Sequence, residues 1–278
     1  MTICELVDPP AALLSAAAER ESVRSAMNEA HEALARLRFH EGLRHGWQEA
    51  RAEASVREAT ALAVSEGLRI SVDDIRAWSM HPPRSSEIDP TAALALGIWR
   101  SQWNVARTFT PLNSRHTLVS RRAPEPLPAR LSGIHRDICS ALVTGGWQEV
   151  STVAKPVQPQ HIVTVKNYCQ APVPTLIHAA AIVAHFRFRE VMRPASACVG
   201  AAFARSILVE HGVDPTGVAV LSAHDAYDPA AASSAIAGWV QADEDGVARW
   251  VEHFMRSIVT AARVGEDVAL HIQGRSLG

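Results

Sequence analysis

Residues 174–212, PTLIHAAAIVAHFRFREVMRPASACVGAAFARSILVEHG, decide how the rest of the chain is read. Apolar residues and alanine recur at helical spacing on both sides of a break at Arg193-Pro194, so the stretch reads as helix, short loop, helix. The first helix is expected from about Pro174 to Met192, with proline in the first turn, where its missing N–H is not needed. The second is expected from about Ala197 to Gly212, a left-handed stop after Val209, Glu210 and His211. Between them the residues after Pro194 are mostly small. Small side chains at a helix start leave its free N–H groups approachable, and those donors favour an anion. Ser196 and Gly200 are therefore ligand-binding candidates, Ser196 also reading as an N-cap.

The 278 residues are 47% hydrophobic, enough for one large core or two small ones, and the abundance of alanine makes helix the expected state through most of the length. Lys and Arg number 27 against 29 for Asp and Glu, which leaves no global field for nucleic acid or an acidic membrane surface. Nearly all the cations are arginine, as in proteins of high-GC genomes. Four cysteines, at 4, 139, 169 and 198, are too scattered to staple a chain of this size and read as free thiols in a reducing cytoplasm. The N-terminus lacks a basic leader, and no apolar run reaches the roughly 18 residues of a membrane span.

Several helix starts are written in the sequence. Asp8-Pro9-Pro10 opens a pattern that continues to about Leu37, Gly42 and Gly46 interrupt it, and a helix from Trp47 to Glu66 stops at Gly67. Ser71-Val-Asp-Asp has the form of a capping box. Asp89-Pro90 and Asp228-Pro229 pair a cap with a proline, and Asp243 or Asp245 starts a last helix expected to end at Gly265. Thr110 to Pro128 reads as a loop or boundary, and Pro128 to Val143 as a helix. His161-Ile162-Val163-Thr164-Val165 is the best strand candidate, and Gly217 to Leu221 a short extended segment.

The central stretch resembles the signature region of the Fic (filamentation induced by cAMP) family, whose helix–loop–helix carries His-Pro-Phe-x-x-Gly-Asn-Gly-Arg. Ala184-His185-Phe186-Arg187-Phe188 is similar to the family's Ala-His-x-x-Phe lead-in, and Arg193-Pro194 falls where the family has His-Pro. Gly212-Val213-Asp214-Pro215 matches a segment that follows the motif in many actinobacterial members. Arg51 to Ser55 through Ser65-Glu66-Gly67 resembles the upstream inhibitory helix, with Leu62 where Ser or Thr is expected. The resemblance implies an all-α, Fic-like fold, with residues 1–125 an N-terminal helical region and 126–278 the core. It also implies a β-hairpin flap near His161 that pairs with a target peptide; an ordinary turn segment is the other reading of that stretch.

The resemblance implies AMP transfer from Mg-ATP, which needs a base, a metal ligand and cations on the phosphates. Here Arg193 replaces the histidine, Ala195 the phenylalanine, Ala197 the acidic ligand, Cys198-Val199-Gly200 the Gly-Asn-Gly loop and Ala201 the first arginine. Arg205, one place out of register, stands in for the second arginine, and Glu66 for the regulatory glutamate that pairs with it.

The expected site is a cleft between Met192 and Ala201, walled by the second and fifth long helices and covered by residues 161–171. In a repurposed enzyme acting on a small-molecule or nucleotide-like anionic ligand, Arg193, Cys198, His185 and His224 supply charge and proton transfer. The Cys198 thiol would be lowered by the helix dipole, and Asp225 or Asp228 would orient His224. The alternatives are a catalytically inactive binding protein of regulatory or antitoxin type, with a protein partner at the flap, and a residual AMP transferase. A homodimer is left open. No cofactor is specified, and with His178 and His185 seven apart and no His-Glu-x-x-His, no metal ligand set is read from spacing.

Overall fold

Twelve α-helices and one turn of 3₁₀ helix account for the regular structure of a computed structural model that describes residues 7–84, 87–112 and 125–274. In order they are α1 (Ala11–Glu19), α2 (Glu21–Arg38), α3 (Leu43–Ser65), α4 (Val72–Met80), α5 (Pro90–Arg107), α6 (Leu127–Thr144), α7 (Gln160–Gln170), α8 (Thr175–Phe188), α9 (Ser196–Glu210), α10 (Ala223–Tyr227), α11 (Pro229–Gln241) and α12 (Glu244–Gln273). Among the described residues there is no strand, and no helix is long and apolar enough to cross a membrane. Most of the loop expected from Thr110 to Pro128, residues 113–124, lies outside the described residues.

The caps read from the sequence are made. Ser71 and Asp74 form the reciprocal box at α4. Asp89 accepts from Ala92 N at α5, Asp228 from Ala231 N at α11 and Asp243 from Gly246 N at α12. Each satisfies a donor that the first helical turn would otherwise leave open, worth about 1 kcal/mol.

The α8–α9 hairpin is the centre of the core. Helix α8 is buried nearly all round, and α9 from Cys198 to Leu208 is buried without a break. Helices of that composition must be covered on every side. The coverage comes from α5, α6 and α7, from α3, and from α12, which also carries α1, α2 and α11. Trp250 on α12 donates Nε1–H to the Ala180 carbonyl of α8 at 2.8 Å, so the longest helix is both packed and hydrogen-bonded to the centre. One hydrophobic cluster includes residues from both sides of position 125.

Four expectations are corrected. The segment from His161 is not a strand or flap but the first turns of α7, because its apolar residues Val165 and Tyr168 fall at helical spacing and are buried against the hairpin. The pattern from Asp8 to Leu37 is divided at Arg20, whose extended backbone separates α1 from α2. Helix α8 stops at Phe188, before Met192, and the released carbonyls of Phe186 and Arg189 are taken by the Ser196 hydroxyl, which in turn accepts from Val191 N. Finally, α12 runs through Gly265 to Gln273. A Cβ at Gly265 would stand 2.9 Å from Leu37 Cδ2 and 3.0 Å from the Val218 carbonyl, so this glycine serves close packing and not termination.

Candidate functional site

A cleft of about 710 Å3 opens beside the loop between α8 and α9. Its walls are the C-terminal end of α3 (Val64, Ser65, Glu66), the start of α9 and one face of α11 (Pro229, Ala232, Ser233, Ile236). The loop itself supplies Glu190 and Met192 to Ala195. Residues 161–171 do not line it; α7 packs on the other side of the hairpin.

The loop is held from below by a residue that no local motif marks. His135, buried on α6, accepts from Ala154 N at its Nδ1 (2.9 Å), so its proton sits on Nε2 and is donated to the Pro194 carbonyl at 3.2 Å. Burial lowers the pKa of this imidazole, against the hydrogen bonds to the loop, which favours the neutral ring that the arrangement requires. The Arg193–Pro194 peptide is cis, and Ala195 has φ of 60° as α9 begins.

Cations and carboxylates alternate along the cleft. Arg187 pairs with Asp225, and Arg193 pairs with Glu190 at the rim. Asp225 also receives the ring of His253, Nε2 to Oδ1 at 2.8 Å. Burial alone would raise the Asp225 carboxyl; the His253 bond and the Arg187 charge outweigh it and hold it below the ordinary carboxylate range. Glu66, by contrast, is raised by burial, with the Cys198 Sγ–H at 3.6 Å and the more distant Arg187 opposing. The lining therefore carries two arginines and three carboxyl groups. Both arginines are engaged, and the cleft is no cluster of free cations.

No family model matches the chain, and no curated protein matches it by sequence. Among solved structures, the crystal structure of a Fic family protein from Desulfovibrio desulfuricans G20 superposes with a TM-score of 0.62 at 12% identity, covering 88% of this chain and 74% of that one. The fold is Fic-like.

Arg193, where the Fic motif has histidine, is two-thirds exposed and pairs with Glu190, three residues back. Arg205 does not face the cleft at all. It is 1% exposed, and its guanidinium donates to the Gly217 carbonyl at 2.7 Å, to Gln102 Oε1 at 3.1 Å and to Ser55 Oγ at 3.3 Å. Helix α9 is turned so that this arginine joins α3, α5 and the Asp214–Gly217 turn. Glu66 lines the cleft, and its recorded partner is Cys198; Arg205 is committed elsewhere.

Cys198 lies in the first turn of α9 but has no exposed surface. Burial first, then the Glu66 carboxyl, push its thiol well above the ordinary value, the reverse of the activation expected from a helix start. Gly200 is also turned inward: a Cβ there would stand 2.4 Å from Phe186 Cβ, so its smallness admits α8 and not a ligand. Of the small residues from Ala195 to Ala201, Ala195, Ser196 and Ala197 border the cleft.

The histidines separate. His185 is fully buried on the face of α8 that meets α7 and Asp8. His224 is half-buried, with Nδ1 3.4 Å from Thr260 Oγ1 and its ring tilted on His253. Asp225 thus orients His253 and not its sequence neighbour, while Asp228 caps α11. Arg193, Cys198, His185 and His224 do not converge on one cavity. No local motif joins Asp225 to Arg187 and His253, since they come from three helices; only the folded chain brings them together.

Proposed function

We propose that this Fic-like protein does not transfer AMP and serves as a binding protein whose cleft takes a small ligand with a largely apolar body. The observation that carries the proposal is the commitment of Arg205 to the core, because AMP transfer requires a cation on the nucleotide phosphates. Support comes also from Arg193 and Ala197 standing where a base and a magnesium ligand would be needed. The two arginines in the cleft are already paired, so a triphosphate would have to displace Glu190 and Asp225.

The Glu66 carboxyl, held toward its neutral form at the C-terminal end of α3, suits a hydrogen-bonding or amine group on the ligand. Around it, Val64, Pro194 and Ile236 offer apolar area. Burial of Cys198 and the inward direction of His185 favour binding over catalysis, since neither of these two side chains reaches the cavity. Calorimetric titration with Mg-ATP tests the reading. No saturable heat is expected at millimolar nucleotide; one-to-one binding that is lost in Arg187→Ala with the fold intact would overturn it.

A further inference from the structure

On the far side of the hairpin from the cleft, Asp8, His161 and His185 meet. Asp8 precedes α1, His161 is in the first turn of α7 and His185 is in the last turn of α8. Their ligating atoms all lie within 4.8 Å of one another, and His185 Nδ1 is 3.5 Å from Asp8 Oδ1. The two imidazole rings stand edge to face with centroids 5.2 Å apart. His185 is 0% exposed and His161 8%.

The unusual feature is how little these rings bond. His185 Nε2 and His161 Nδ1 are buried without a hydrogen-bond partner, while His185 Nδ1 faces the Asp8 carboxylate at 3.5 Å. Buried polar atoms are nearly always paired, and two orphans on two adjoining rings beside a carboxylate call for an explanation. Packing supplies none, because aromatic or aliphatic side chains would fill the space without the desolvation that bare ring nitrogens suffer. A divalent cation would accept a lone pair from each ring and take the carboxylate as its third ligand. Arg189, with Nε 2.8 Å from Asp8 Oδ1, fixes the carboxylate in place, as outer-sphere partners of ligating carboxylates commonly do. The segment carrying Asp8 is itself fastened, since the Tyr168 hydroxyl donates to the Pro9 carbonyl at 2.9 Å.

We propose that Asp8, His161 and His185 form a binding site for a divalent transition metal of the zinc class, tying the N-terminal segment to α7 and α8. Two imidazoles and one carboxylate are a borderline-to-hard set that suits Zn(II) and its spectroscopic substitute Co(II), and not Ca(II) or Mg(II), which take oxygen donors. Three protein ligands leave a fourth position for water. The site is separate from the cleft and does not depend on the function proposed for it.

The test uses the full chain without an affinity tag, stripped with EDTA and titrated with cobalt chloride. One equivalent of Co(II) should bind saturably, give the visible absorption of a four-coordinate centre, be displaced by Zn(II) and raise the melting temperature. His161→Ala, at the edge of the cluster, and His185→Gln should each abolish the absorption and the thermal shift. His271→Ala, which removes an exposed histidine on α12, should leave both unchanged. The proposal is overturned if the folded wild-type chain shows no saturable cobalt absorption, or if binding survives in the double variant Asp8→Asn, His161→Ala.

Discussion

Replacing Arg205 by methionine should destabilise the protein strongly while leaving the cleft as it was. Methionine keeps much of the side-chain volume and removes the charge and every donor. Left behind are the Gly217 carbonyl, Gln102 Oε1 and the Gln102 carbonyl, all within reach of the guanidinium and all buried. Also lost is the positive charge facing Glu58 and Asp214, two buried carboxyl groups whose fields favour the charged arginine against its desolvation. Removing one member of such a buried set costs roughly 3–5 kcal/mol, because its partners remain buried and uncompensated. Each kcal/mol lowers the melting temperature of a chain somewhat shorter than this one by about 2–4 °C, so a fall on the order of 10 °C is expected. Urea unfolding followed by far-ultraviolet circular dichroism gives the free energy directly, with the slope of the transition checking that the same surface is exposed. A loss under about 1 kcal/mol with the helical signal intact would refute the reasoning, and would mean that Arg205 is available to the cleft after all.

The remaining expectations concern two other groups. Glu53 is almost fully buried between Arg57 and Arg76, at 2.9 and 2.7 Å; burial would raise its carboxyl, but the Arg76 and Arg57 bonds outweigh that and hold it below 4.5. A depressed carboxyl stabilises the fold above its unfolded pKa and loses that contribution as pH falls through the folded value, so Glu53→Gln should cost about 2 kcal/mol near pH 7 and progressively less below pH 4.5. An equal loss at every pH would contradict this, and urea midpoints at stepped pH provide the check. Cys198, buried and with its thiol raised, should resist a disulfide reagent at pH 8 in the native protein and react once denaturant is added. Prompt native-state modification of Cys198, located by peptide mass, would show that α9 begins closer to solvent than its packing implies.

Much of the helical framework was legible because its signals are local. Ser71, Asp89, Asp228 and Asp243 each cap within three residues of themselves, and period and cap agree at all four. The α8–α9 hairpin was legible for a similar reason, its apolar runs being too continuous for anything but buried helices. Local signals failed where tertiary packing decides. His161 to Val165 has the β-branched composition of a strand, yet lies on a helix because Val165 and Tyr168 must share one buried face. Gly265 resembles a stop signal and is a point of close approach.

The site was less legible than the frame. Sequence register put Arg205 beside the phosphate position of the Fic motif, but the rotation of α9 about its axis sends that side chain into the core, and register alone does not fix rotation. Cys198 was read from the dipole of its helix, which burial overrides. The Asp225–His253–Arg187 group and the Asp8–His161–His185 group each draw on separate elements of the chain, so no motif announces either.

The central claim is that the Fic-like fold here is retained without AMP transfer. It is tested most directly by incubating the purified chain with α-labelled ATP, magnesium and a cell lysate, then measuring label incorporated into protein. No incorporation above that of heat-denatured chain is expected, for the chain itself or for any lysate protein. Incorporation that rises with time and disappears in Arg193→Ala would contradict the account.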